Sequence, residues 1–192
     1  MNFLSHFYIA DQTDTDVAGA IAADFVRGSL QPWPEPLQTG MALHRQVDSF
    51  VDGHELTLAL KAQFAPQHRR MAGILLDMAF DHQLAQHFEQ WHPLSLHHFS
   101  QHCYQQLLSA PLLPPDLATL APKIAAGDWL SHYQYRHGIN RSITGIAQRL
   151  SKPQRLLAAQ DEIWRLEAPI ATGFTQLMPE LLQHCHQWLH QR

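Results

Sequence analysis

Asp24, His44, Asp48, Asp77 and Asp81 each break a stretch that is otherwise largely apolar. An acid or imidazole on the buried face of a helix is costly unless it is paired, hydrogen-bonded or bound to a cation. The densest segment is "ALHRQVDSFVDGHE", residues 42–55, with three acids and two histidines in fourteen residues. His44 and Asp48 are four residues apart, so on a helix they share one face, about 6 Å apart along the axis. Asp77 and Asp81 repeat that spacing inside "GILLDMAFDHQLA", and His82 follows directly. Asp24 closes the apolar run "AGAIAADFVRG", and His6 lies within "FLSHFYIA". Inward-facing acids and histidines from several helices are how helical bundles build metal sites. The bland reading of any single member is a surface pair or a helix cap. Asp52 and His54 read as a helix terminus. His87, His92, His97, His98 and His102 read as solvated surface beside many glutamines.

In this set carboxylates outnumber imidazoles and no thiolate takes part. Such donors suit Mn²⁺ or Mg²⁺, or a di-metal iron or zinc site, better than structural zinc. The chemistry open to that site is activation of water and stabilisation of charge on a phosphoryl oxygen. Arg45 beside His44, and Arg69 with Arg70 shortly before Asp77, offer guanidinium forks for a phosphate. No Walker loop, G-x-G-x-x-G, G-x-S-x-G or H-E-x-x-H motif occurs, so P-loop, Rossmann, serine-hydrolase and zincin readings have no support.

The elements that must position these residues are helical. Apolar residues recur at i, i+3, i+4 spacing nearly everywhere, and strand-like alternation is almost absent. Capping residues open "TDTDVAGAIAADFVRG" and Gly28 closes it. A helix is predicted from Leu37 to Asp52, ending at Gly53. A long one is predicted across residues 66–91, and others over residues 94–110 and toward the C-terminus, where Pro169 should kink or split the last. The 192 residues, 45% hydrophobic, suit one domain, and no linker divides it. The expected architecture is a single all-α domain, 1–192, an irregular helical bundle.

Charge is uneven. Residues 1–122 carry 12 acids and 5 Lys/Arg, a formal −7, and residues 123–192 carry 5 acids and 8 Lys/Arg, a formal +3. The whole is not a generic nucleic-acid binder. The basic segment Arg136, Arg141, Arg149, Lys152 and Arg155 suits an acidic partner. No apolar run approaches the ~20 residues that span a membrane. No leader is evident at the N-terminus, so cytoplasm is the expected location. Cys103 and Cys185 are too few for a disulfide framework and read as buried free thiols.

With these residues in view, the chain resembles the acyl carrier protein phosphodiesterase family. The resemblance runs through "MNFLSHFYIA", "AADFVRG", "GMALHRQVDSFVD", "RRMAGILLDMAFDHQLA", "GDWLSHY" and "GINRSITGIAQRLS", in that order. That family in turn resembles the His-Asp metal-dependent phosphohydrolases, with an all-helical core. The resemblance implies removal of the 4′-phosphopantetheine arm from holo-acyl carrier protein, with Mn²⁺ as cofactor. By motif it places Asp24, His44, Asp77 and Asp81 at the metal, with Asp48 and His82 beside them. In the superfamily the dyad runs His then Asp, whereas here the adjacent pair Asp81–His82 is reversed. His6 or His82 would protonate the leaving group, and Arg45 and Arg69 would neutralise the phosphodiester. Two rival readings remain: a phosphohydrolase of nucleotides or small phosphoesters, and a non-catalytic helical module with a structural ion.

Overall fold

The computed structural model describes residues 1–192. Its regular secondary structure is all helical, with no strand. The helices are α1 (Phe3–Gln12), α2 (Val17–Ala22), α3 (Leu37–Gly53), α4 (Glu55–Gln63), α5 (Ala72–Gln86) and α6 (Leu96–Ser109). They continue with α7 (Pro115–Ala126), α8 (Trp129–His132), α9 (Arg136–Ala147), α10 (Pro153–Ala159), α11 (Glu162–Arg165) and α12 (Glu167–His190). Fifty-two buried apolar residues form one contiguous core. No helix is long and apolar enough to cross a membrane. Cys103 and Cys185 are free and buried, and burial raises both thiol pKa values, to about 12 for Cys185.

Three contacts fix the parts that carry the site. First, α2 lies backbone to backbone on α3. A Cβ on Gly19 would stand 2.7 Å from the Leu37 carbonyl oxygen and 2.9 Å from the Gly40 Cα. Only glycine permits that approach. Second, α1 begins under α5. The backbone amides of Asn2, Leu4 and Ser5 and the Ser5 hydroxyl all donate to the Asp81 carboxylate, at 3.3, 2.8, 3.1 and 2.5 Å. Helix N-termini leave unpaired N–H groups and a partial positive charge, and here a carboxylate from another helix satisfies them. Third, α9 packs against α8 at Gly138, where a Cβ would collide with the His132 carbonyl.

Two sequence expectations about the helices change. The predicted helix over 66–91 is shorter, with 3₁₀ turns at Arg69–Met71 and Phe88–Gln90 on either side of α5. Pro169 does not break the last helix. The break falls at Leu166, between α11 and α12, and Pro169 sits in the first turn of α12, where its missing N–H costs nothing.

Candidate active site

Gly40, His44 and Asp48 follow one another at four-residue spacing on α3, so the row that touches α2 also carries the imidazole and the acid. His44 donates through Nδ1 to the Ala20 carbonyl of α2, at 2.6 Å. That bond fixes the ring and turns Nε2 toward two carboxylates. Asp24 Oδ1, on the 3₁₀ turn after α2, lies 3.3 Å away, and Asp48 Oδ2 lies 3.0 Å away. His6, from α1, stacks on His44 with ring centroids 3.7 Å apart, and its Nε2 is 3.2 Å from Asp48 Oδ1. Those two atoms are buried, yet neither makes a well-aligned hydrogen bond. Asp48 Oδ1 also lies 3.6 Å from the Met1 ammonium, which pairs with Asp77 Oδ1 at 2.8 Å.

The electrostatics follow from this crowding. Burial pulls the His44 pKa down, but the Asp24 and Asp48 carboxylates outweigh it and hold it up at about 9. His6 goes the other way, to about 4, because it is buried and lies against His44. Two stacked rings do not both carry charge. Burial opposes ionisation of Asp48, but the His44 and His6 imidazoles close beside it hold its carboxyl well below the usual range. Asp24 is lowered for the same reason, by His44 against burial. Burial pushes Asp77 up, against the pull of the Met1 ammonium. The Met1 amine rises to about 10, the acids outweighing its burial. The cluster is thus a set of acceptors held together by a ring proton and an ammonium.

His6, His44 and Asp48 can each offer one ligand atom, all within 4.8 Å of one another. The orphaned Asp48 Oδ1 and His6 Nε2, together with the convergence of Asp24 and Asp77, fit a hard or borderline divalent cation. Asp24, Asp48 and Asp77 also line a cavity of about 570 Å³. Its other walls include Phe25, Ile74, Met78, Trp129, His132, His137, Gly145, Arg141 and Arg149. The cavity is therefore lined both by acids from α3, α5 and the turn after α2 and by guanidiniums from α9 and the turn that closes it.

The residues singled out from sequence divide. Asp24, His44, Asp48, Asp77 and His6 come together. Asp81 is not among them: it is fully buried, and its acceptor sites are filled by the start of α1. Burial raises its pKa to about 6, against hydrogen bonds from Ser5 and Leu4 and the Met1 charge. His82 faces elsewhere, with Nδ1 2.6 Å from the Tyr133 carbonyl and its ring edge-on to Trp164. The reversed pair Asp81–His82 is therefore no dyad, and the working imidazole–carboxylate pairs are those of His44 with Asp48 and Asp24.

The arginines divide too. Arg45 donates to the Gly28 and Val26 carbonyls at 2.9 and 3.1 Å, which ties the segment after Asp24 onto α3 and leaves no fork for phosphate. Arg69 donates to the Ala62 and Phe64 carbonyls and closes the end of α4. Arg70 is exposed and lines no part of the cavity. Arg136 pairs with Glu167 at 2.5 Å and lies over Trp164. Arg141 and Arg149 alone of the basic segment reach the cavity. His92 is not surface: it is buried, with Nε2 3.1 Å from Asp11 Oδ2 and Nδ1 accepting from the Leu94 amide.

Trp129, His132, His137 and Gly145 also line the cavity but were not singled out from the sequence. Trp129 and His132 fall in "GDWLSHY", Gly145 in "GINRSITGIAQRLS" and His137 just before the latter, and no spacing among the four residues marks them as a set.

Residues 1–181 match the family model described as acyl carrier protein phosphodiesterase. A protein of that name from Serratia proteamaculans (strain 568) is 34% identical over 186 residues, covering 95% of this chain and 96% of the relative. The protein of that name from Klebsiella pneumoniae (strain 342) is 36% identical, and that from Yersinia pestis 31%, with the same coverage. No solved structure matches the chain significantly. On the whole-length match and these relatives, the chain belongs to the acyl carrier protein phosphodiesterase family.

Proposed function

We propose that this chain is a metal-dependent phosphodiesterase that frees 4′-phosphopantetheine from the serine of holo-acyl carrier protein. The observation that carries the reading is the convergence of Asp24, Asp48 and Asp77, with His44 held against Asp24 and Asp48, at a cavity that the unpaired Arg141 and Arg149 also line. His6, His44 and Asp48, with Asp24 and Asp77, would hold the divalent cation, and Mn²⁺ suits the mixture of carboxylates and imidazoles. When bound, the ion supplies a Lewis acid for a phosphoryl oxygen and a water nucleophilic at neutral pH.

The chain's own residues do the rest. The Ala20 carbonyl holds the His44 ring with Nε2 toward Asp24 and Asp48, the acids that would hold the cation with it. Asp48 lies between the two rings, 3.0 Å from His44 Nε2 and 3.2 Å from His6 Nε2. His6 is neutral at neutral pH, which suits a ligand rather than a proton donor. His132 and His137 are the imidazoles that line the cavity, and they replace His82 as sources of the proton that the departing serine oxygen needs. Hydrolysis breaks the phosphorus–oxygen bond to that serine, water adds to phosphorus, and the proton passes to the serine.

The test is holo-acyl carrier protein with Mn²⁺, followed by intact mass. Loss of the phosphopantetheine mass, abolished by chelator and by Asp77→Asn, is the expected result. Full activity after chelation would refute the metal-dependent reading. Equal or faster turnover of nucleotides and p-nitrophenyl phosphate would favour the small-phosphoester reading. Unfolding on metal removal would favour a structural ion.

A further inference from the structure

Arg141 and Arg149 carry charges that nothing else in the protein uses. Arg141 lies on α9 and Arg149 in the turn that closes it, and both line the cavity. Arg136, on the same helix, is tied to Glu167 and Trp164. In contrast, the guanidiniums of Arg141 and Arg149 make no hydrogen bond and lie beyond ion-pair distance of any carboxylate, including the three acids of the same cavity. Two unpaired cations in a cavity lined with acids are available to an anion that comes and goes.

Gly145 lies one turn after Arg141, four residues before Arg149, and also lines the cavity. Glycine is the poorest helix former after proline, so its place in α9 calls for a reason. Conformation gives none, because its φ is not in the left-handed region. Packing gives none either. At Gly19, Gly40, Gly127 and Gly138 a Cβ would collide with a neighbour, but at Gly145 it would meet nothing within 4 Å. The absent side chain keeps part of the cavity wall clear.

We propose that Arg141, Gly145 and Arg149 form the bed on which the substrate's phosphodiester arm lies. The guanidiniums take the phosphate oxygens, and Gly145 gives the attached chain room to pass along α9. The proposal rests on the phosphodiesterase reading for its ligand and assigns these residues to the phosphate and arm rather than to the carrier's acidic surface. Guanidinium forks suit phosphate oxygens better than an ammonium does, so Arg→Lys is not neutral here.

The test uses the full chain with Mn²⁺. Inorganic phosphate and free 4′-phosphopantetheine are titrated calorimetrically into wild type, Arg141→Gln, Arg149→Gln and Gly145→Leu, alongside melting temperature and turnover of holo-carrier protein. The arginine variants should bind both ligands about tenfold to a hundredfold more weakly, the effect of losing a charged hydrogen-bond partner. Arg141→Lys should recover only part of the loss. Gly145→Leu should bind phosphate like wild type but 4′-phosphopantetheine at least tenfold more weakly, with an unchanged or higher melting temperature, so loss of folding cannot explain it. Wild-type binding of both ligands by the arginine variants, with only carrier turnover lost, overturns the proposal and assigns the pair to carrier docking. Wild-type binding of 4′-phosphopantetheine by Gly145→Leu overturns the clearance role, and a wild-type protein that binds neither ligand overturns the bed altogether. Failure of the wild type to process holo-carrier protein, with the titrations as expected, counts against the hydrolase reading alone.

Discussion

The contact between α2 and α3 is where a single methyl group should reach the site. Gly40 precedes His44 by one turn on the row that faces α2. A Cβ on Gly40 would stand 2.8 Å from the Asp16 carbonyl oxygen and 2.9 Å from the Gly19 Cα. Both are backbone atoms, so no side chain can swing aside. Ordinary contact begins near 3.4 Å, so the two helices must part by roughly half an ångström or more. That movement stretches the 2.6 Å bond from His44 to the Ala20 carbonyl and draws Asp24 away from His44. Overpacking of this kind costs about 1–3 kcal/mol. Alanine in a helix returns up to ~1 kcal/mol against glycine. The net loss for Gly40→Ala is then on the order of 1–2 kcal/mol, or roughly 2–8 °C in melting temperature for a chain of this size.

Gly145→Ala provides the control, because a Cβ there meets open space and reports the helix-propensity gain alone. Differential scanning calorimetry of both variants isolates the overpacking cost. Calorimetric titration with Mn²⁺ then reads the site, where about a tenfold loss of affinity or more is expected for Gly40→Ala, as for disturbed support of a metal ligand. If Gly40→Ala melted with Gly145→Ala and bound Mn²⁺ like wild type, the backbone contact would have no bearing on the site.

Three further outcomes follow from single residues. Arg45→Gln should loosen the segment that carries Asp24, lowering Mn²⁺ affinity about tenfold or more with little change in helix content; wild-type affinity would show that this tie has no bearing on the site. Asp81→Asn should destabilise the metal-free protein by at least ~1–2 kcal/mol, as loss of a helix cap does, which thermal unfolding reads; an unchanged apo melting point would reopen its reading as a ligand. Glu162 is held down to about 2 by Arg165, against burial and with help from the Ala65 amide and His68. A depressed carboxylate stabilises the fold above its unfolded pKa, near 4.5, and that contribution is lost as pH falls from about 4.5 to 2. Glu162→Gln should therefore be less stable at neutral pH and show a flatter acid limb in urea unfolding; an unchanged limb would refute the assignment.

The all-helical class, the bounds of α3 and the pairing of His44 with Asp48 were legible, because each depends on spacing within one helix. The roles of Asp77 and Asp81 were not. They sit one turn apart on α5 and look alike in sequence, and only the arrival of α1 from elsewhere in the chain separates them. The same holds for the arginines. Arg45 and Arg69 read as phosphate clamps, but backbone carbonyls claim them, and Arg136 reads as part of a docking face, but Glu167 claims it. The basic segment was legible as charge but not as a cavity wall, since the packing of α9 on α8 rests on Gly138 meeting a carbonyl.

What sorts the charged residues is the supply of partners. Asp81 has every approach filled by donors from Asn2, Leu4 and Ser5. Glu162 is filled by Ala65, His68 and Arg165. Both are finished structural units, and substituting either should be felt in folding. Asp48 and His6 keep buried atoms with no aligned partner, although burial makes each unmet acceptor costly. Arg141 and Arg149 keep guanidiniums that no carboxylate meets. Asp48 Oδ1, Arg141 and Arg149 thus bring an unmet acceptor and two unmet guanidiniums to one cavity. A cation completes the first and an anion the second. The substrate able to use both at once is an anionic ester that a metal ion activates, which is the class of molecule a phosphodiesterase takes.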